Sequence, residues 1–457
     1  MQMIVMLPRK IILIPTVIFL LTNVAFAQSK VVTYHDVFRS QIKESYFILG
    51  NDSSQVDGPY VKYYPDGTVE LTGNFVKGQK VGAFQEYYAN GIKKRLLNFE
   101  NGLKNGEITV WDEAGNIIQK GQYLNDTLNN TLVVYYDHGQ TKSETNFVRG
   151  KPEGLIRQYY PSGALKEEIY YQNGKPEGVS KRYYENGRLK SEANYKKGLL
   201  DGYFKTYFPN GQLETISNHT DGLKSGAFEN YNNKGILTLK GTYKTITVNK
   251  KSIGVLDGDN FAYYDDGSKK HVFHYSDGHR YGDNYTYYPD GRVKSEIKYD
   301  NHEKDRIIKE FHDNDSIKSL KQYKEGMATG IWEYYYNSGK LKTRETYLND
   351  KLNGLKSTYD EEGNLQSEEP YTNNLIIGVA KTFFPSGAVK SETPHHVNKK
   401  SGQHMSYHEN GQTAVKGNYI DNKKHGPWEF FDPYGNKLKV INYSRGKKAG
   451  EEIYKEK

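Results

Sequence analysis

Two histidines four residues apart, His404 and His408, have the spacing that places two metal ligands on one turn of a helix. On a strand the same spacing keeps them on one face but roughly 13 Å apart, too far to share an ion. The choice of element therefore decides the chemistry. His271 and His274 fall on opposite faces of a strand, and His395 stands where other copies of the same pattern carry an aromatic ring. The stretch Asp313–Ser316, "DNDS", opens like a calcium loop, but it is followed by no Gly at the sixth position and no Glu at the twelfth. Asp315 is instead expected in a left-handed turn position. No HExxH, GxSxG or P-loop pattern is present, and the chain has no Cys. Thiol catalysis, thiolate metal sites and disulfides are excluded. No catalytic residue, metal site or cofactor is expected, and the reading is of a protein that is not an enzyme.

The elements follow from repetition. "KPEG" at Lys151–Gly154 returns at Lys175–Gly178. Stepping by 24 from Gly58, with one jump of 32 before Gly258, gives 17 slots, of which 15 hold Gly; Asn130 and Arg306 are the exceptions. A second series from Gly67 to Gly435 holds Gly in 15 of 16 slots, with Asp315 the exception. A third slot, four residues before the first, holds only Gly, Asn, Asp or His, the types that tolerate left-handed backbone. These are turn positions. Between them run β-prone segments such as "VSKRYY" and "LKSEANY", joined by "ENG" or "PDG" turns suited to hairpins. The expected fold is all-β: an elongated single-layer antiparallel sheet of about 16 stacked 24-residue hairpins, about 32 strands in all.

Aromatic residues keep the period. The column Tyr63, Tyr87, Trp111 and onward is aromatic in all 16 copies. A second column, from Phe75 to Tyr443, departs only at His219 and His395. Ring ladders of this kind can replace a globular core, each pair contributing about 0.2–1 kcal/mol. With only 36% hydrophobic residues but 41 Tyr, the chain suits a thin sheet wetted on both sides.

The repeat unit, written best by Tyr183–Gly202 "YYENGRLKSEANYKKGLLDG", resembles the MORN repeat in its bacterial variant. The resemblance spans roughly 58–450. It implies stacked antiparallel hairpins and a role in protein–protein contact and scaffolding, with membrane-lipid attachment in some eukaryotic members. Bacterial chains of this kind are often labelled antitoxins of a toxin–antitoxin system, of the YwqK type.

The first residues read differently. Arg9 and Lys10, the run "IILIPTVIFLLTNV" and the small residues Ala25 and Ala27 describe a signal peptide with cleavage expected after Ala27. The organisation is then 1–27 signal peptide, 28–57 N-terminal cap (a strand pair or a short helix), 58–244 first half of the array, 245–257 an insertion loop containing "TITVNKKS", and 258–457 second half with a C-terminal cap. Export places the protein in the periplasm, at the cell surface or outside the cell, where an antitoxin could not meet a cytoplasmic toxin. The net charge of +8 comes from Lys and Arg interleaved with Glu, which argues against a nucleic-acid groove.

The expected function is an exported scaffold binding an unknown protein partner. The alternatives are an envelope glycan- or anionic-lipid-binding surface and an antitoxin-like inhibitor. The candidate contact residues are the aromatics two places after the Gly slot: Tyr60, Phe84, Phe204, Trp332 and Trp428. They are read either as exposed contacts, removable without loss of fold, or as rings packed on neighbouring strands.

Overall fold

The computed structural model describes residues 28–454 apart from 51, 53, 301 and 302. The expected signal peptide lies outside them. Every paired strand is antiparallel, and the described residues contain 41 strands and no helix. The excess over 32 has a simple origin. Two strands belong to the N-terminal cap, one closes the chain at Lys447–Ile453, and the rest are short pieces cut off by bulges or by the insertion, such as Lys151–Pro152 ahead of Gly154–Tyr159. The described residues form two compact units, the first within residues 1–165 and 171–174, the second within 166–170 and 175–457.

The typical hairpin is made by three left-handed sites. The second Gly series ends a turn in which the Gly67 amide donates to the Tyr64 carbonyl at 2.9 Å and the Tyr64 amide to the Thr68 carbonyl at 2.8 Å. Every Gly of that series has φ between 80° and 92°, and Asp315, in its place, has φ 64°, as expected. The third slot is the second residue of a two-residue turn in which both central residues have positive φ, for example Asp221 at 50° and Gly222 at 82°. That is the type I′ geometry that matches strand twist. The first Gly slot marks a bulge: Ala193 pairs with Phe204 but Tyr195 with Leu200, so the strand carrying Gly202 (φ 102°) holds extra residues there.

Arg306 explains itself on these terms. The strand Asp305–Phe311 pairs with Val293–Asp300 without a break, from Ser295↔Glu310 to Asp300↔Asp305. It has no bulge and therefore needs no Gly.

The cap at 28–57 is a strand pair, Gln28–Tyr34 with Ile42–Leu49, and Glu44 and Ser45 pair onward with Lys62 and Val61. The insertion is corrected. Residues 245–257 do not form a loop; they extend a hairpin, Leu237–Val248 against Lys251–Leu256, in unbroken register from Tyr243↔Leu256 to Val248↔Lys251. The alternation "TITV" and the left-handed pair Asn249–Lys250 build it.

Candidate functional site

Strand alternation sorts the repeat into two faces. Gly58, Tyr60 and Lys62 share one face, and the pairings Gly58↔Phe75 and Tyr60↔Gly73 bring Phe75 to the same side. The aromatic two places after the Gly slot thus alternates with the second aromatic column. In the first unit the rings run Tyr60–Phe75 at 5.5 Å, Phe75–Phe84 at 5.4 Å and Phe84–Phe99 at 5.0 Å, mostly edge to face. Gly73 makes room for this: a Cβ there would meet the Phe84 ring at 2.3 Å.

For Phe84 and Trp428 the exposed reading is corrected by this packing. Phe84 is 3% exposed and Trp428 2% exposed. Tyr60, Phe204 and Trp332 are half-buried. Trp332 lies 5.1 Å from Tyr323 and 4.5 Å from Tyr347 between ring centroids. The five occupy one slot of one face, but they hold hairpins together before they can touch anything else.

The other titratable residues singled out by spacing do not converge. The His408 ring bonds the Phe431 carbonyl at 2.9 Å, whereas His404 bonds the Thr393 hydroxyl at 2.8 Å. His274 pairs with Asp259 at 2.5 Å, and His395 bonds the Thr393 carbonyl at 2.9 Å. Among the described residues no group of three His, Cys, Asp or Glu is placed to hold a metal ion.

Within the second unit the aromatic face opens into a cavity of about 610 Å³. Phe204, Phe228, Tyr243 and Phe273 supply apolar walls, and its polar side chains include His219, Asn260 and His271 beside Ser217, Lys224 and Asn230. The extended hairpin supplies Leu256 and folds back so closely that a Cβ on Gly254 would lie 2.4 Å from the Lys224 carbonyl oxygen. Burial lowers the pKa of His219, helped by Lys224, and that of His271, helped by Lys270, Arg280 and Lys294. Both imidazoles are held toward the neutral form. In the sequence His219 stood out as a break in the aromatic column and His271 only through its spacing to His274, and neither pointed to a cavity.

The opposite face carries a feature that sequence reasoning missed. Ile307, Ile331, Leu355 and Val379 stand one residue after the Gly slot in four successive hairpins and are 42–53% exposed. Their cross-strand partners include Pro370 and Pro394. Parity along the strand was the available signal: a residue one place from a buried slot points the other way.

Two further periodic contacts tie the hairpins together. The second Tyr of each "YY" donates its hydroxyl to a backbone carbonyl of the next repeat, as Tyr64 to Tyr87 at 2.9 Å, Tyr184 to Tyr207 at 2.7 Å and Tyr336 to Tyr359 at 2.9 Å. The Lys of "LK" lies over the same ring, as Lys190 over Tyr184 at 5.4 Å.

A sheet built hairpin by hairpin, with its ring ladder on one face, is a repeat scaffold without a single core. Nine segments of the chain, 80–101, 104–125, 152–173, 176–197, 200–221, 280–301, 328–349, 352–373 and 400–421, match the family model described as the MORN repeat variant. The chain belongs to that family, whose repeats are generally non-catalytic. No curated protein matches it in sequence. Among solved structures it is similar to a TcdB2-TccC3-TEV crystal structure, at 13% identity over 94% of this chain and 25% of that one, with a TM-score of 0.15. It is also similar to a Photorhabdus luminescens Tc holotoxin pore, at 10% identity over 90% of this chain and 23% of that one, with the same TM-score of 0.15. The chain thus spans about a quarter of the length of those proteins.

Proposed function

We propose that the protein is an exported, non-catalytic scaffold that holds a partner protein against its sheet. The observation that carries this reading is the exposed aliphatic row Ile307, Ile331, Leu355 and Val379. Contiguous exposed apolar surface marks contact sites, since leaving it in water is unfavourable. The four side chains recur once per hairpin, so a partner with a matching spacing engages several at once. Glycan or lipid binding through ring faces is less favoured, because the rings of the other face are largely occupied by one another.

The test is affinity capture from the source organism's envelope with tagged residues 28–457, run beside an Ile331→Glu, Leu355→Glu double variant. The expected result is one protein retained at near-stoichiometric yield by the natural chain, lost with the double variant, and an unchanged thermal midpoint. Retention that the variant leaves intact, or retention of glycan or lipid alone, would overturn the reading.

A further inference from the structure

We propose that the cavity around Asn260 is a binding site for a planar aromatic group that carries an N–H or O–H donor. The inference goes beyond the scaffold reading and uses none of its residues.

The shape comes first. A cavity of about 610 Å³ falls within the range of about 300–1,000 Å³ that small-molecule sites occupy. Its walls present flat faces: Phe228 and Tyr243 lie 4.9 Å apart between centroids, and the His271 ring stacks on Phe273 at 5.0 Å. Gly241, with no side chain, leaves room beside the cavity for the Asn260 amide and the Phe228 ring. A Cβ there would lie 1.6 Å from Asn260 Oδ1 and 2.9 Å from the Phe228 ring.

The polar atoms are the second, independent observation. Among the described residues four buried side-chain polar atoms have no hydrogen-bond partner, and three of them, His219 Nδ1, Asn260 Oδ1 and His271 Nδ1, belong to side chains that line this cavity. Buried polar groups are nearly always paired, so three orphans at one place call for an explanation. The next hairpin supplies a control. Asn284 occupies the same slot and is 1% exposed, but it is fully used: its Nδ2 donates to the Tyr281 and Gly282 carbonyls at 3.0 Å, and its Oδ1 accepts from the His274 amide at 3.0 Å. Asn260 is 6% exposed and its Nδ2 donates to the Gly258 carbonyl at 3.2 Å, while its Oδ1 has no donor. An Asn in this slot can be purely structural, and Asn260 departs from that at one atom.

The ligand chemistry follows from those atoms. An amide oxygen only accepts, so the ligand must donate. A neutral imidazole Nδ1 accepts or donates according to its tautomer, which admits a second polar group of either kind. Lys224, Lys270, Arg280 and Lys294 make the surroundings positive and disfavour a cationic amine. A free small molecule and a Trp or Tyr side chain of a partner share the required chemistry.

Indole and N-methylindole, titrated into residues 28–457, test the proposal by calorimetry and by the imidazole resonances of His219 and His271. Indole is expected to bind at one saturable site that shifts both rings, with N-methylindole weaker by about tenfold for the lost hydrogen bond. Asn260→Leu should abolish that preference while leaving the thermal midpoint unchanged or higher. Asn284→Leu should keep the preference and lower the midpoint. A Gly-Trp-Gly peptide separates the sources: binding tighter than indole points to a partner's side chain, weaker binding to a free small molecule. Absence of saturable binding, equal affinity for the two probes, or a preference that survives Asn260→Leu would overturn the proposal.

Discussion

Trp428 and Asn260 occupy the same slot, two residues after a glycine, in two hairpins of the same unit, and their surroundings are finished in opposite ways. The Trp428 ring fills the space over Gly417, where a Cβ would meet it at 2.2 Å. It lies 5.0 Å from Tyr419 and 5.5 Å from His404, its Nε1 donates to the Asn418 carbonyl at 3.2 Å, and the Lys424 ammonium sits 4.1 Å from its centroid. Even His404 has its Nδ1 bonded, to the Thr393 hydroxyl at 2.8 Å. Around Asn260 the same glycine-and-aromatic pattern leaves a cavity and three orphaned polar atoms. One backbone plan thus yields a closed, satisfied packing, as at Trp428 and Asn284, or an open, unsatisfied one, as at Asn260.

The largest effect should come from breaking the closed region. Trp428→Ala removes a fully buried ring and is expected to cost about 3–5 kcal/mol. A repeat array unfolds locally, so hydrogen exchange of the strands Gly402–Tyr407 and Thr413–Ile420 is the measurement. Protection there should collapse while the strands around Asn260 keep theirs. Asn260→Leu should cost little. Equal losses at the two sites would show that the open region is packed as firmly as the closed one.

Added bulk sharpens the contrast. Gly417→Ala drives a methyl into a locked Trp ring and is expected to cost about 1–3 kcal/mol. Gly241→Ala meets chiefly the end of an Asn side chain that can swing into open space, with the edge of the Phe228 ring 2.9 Å away. It should cost less in thermal denaturation and should weaken indole binding, because the displaced amide fills the cavity.

Acid should act on both regions. Burial lowers the pKa of His219, His271 and His404, with Lys400 and Lys424 adding to it at His404. Each is neutral in the fold and binds a proton more readily once unfolded. Above the unfolded value of about 6.5 they contribute no pH dependence, and below it unfolding takes up protons and stability falls. The thermal midpoint is expected to drop by a few degrees between pH 7 and pH 5. Glu310, Glu333 and Glu392, whose pKa values are lowered, act only below about pH 4.5. His404→Phe should flatten the slope in the closed region; an unchanged slope would mean that its imidazole takes up a proton as readily in the fold as in the unfolded chain.

The period and the turns were legible in the sequence because they are backbone demands: only certain residues accept left-handed φ, and Asp315 betrays its turn by replacing a Gly. The ring ladder was half legible. Column membership shows in spacing, but which columns share a face depends on the bulge at each Gly slot, and that places Phe84 and Trp428 inside. The insertion read as a loop because it breaks the 24-residue period, although "TITV" alternates as a strand does. The cavity was illegible. It is assembled from Phe204, Phe228, Asn260 and His271 on four strands, and only packing shows that Asn260 Oδ1 finds no donor while Asn284 Oδ1 does.

The smallest prediction isolates the closed region from the open one. In the two-residue turns the first central residue also has positive φ, a demand that the spacing pattern did not reveal. Asn101, Asn173 and Asn373 meet it at 50–52°, whereas Val397 stands there at 50°. A β-branched residue in left-handed backbone is strained, and Val397 is exposed, so no packing compensates. Val397→Asn should therefore stabilise the protein by about 1 kcal/mol. Val397→Gly should gain less, because Gly loses about 0.5–1 kcal/mol more conformational freedom on folding. Slower hydrogen exchange confined to the strands flanking Val397, with indole affinity unchanged, would show that the two regions are energetically separate. A change in indole affinity would show instead that stability passes along the ring ladder from the Trp428 packing to the Asn260 cavity.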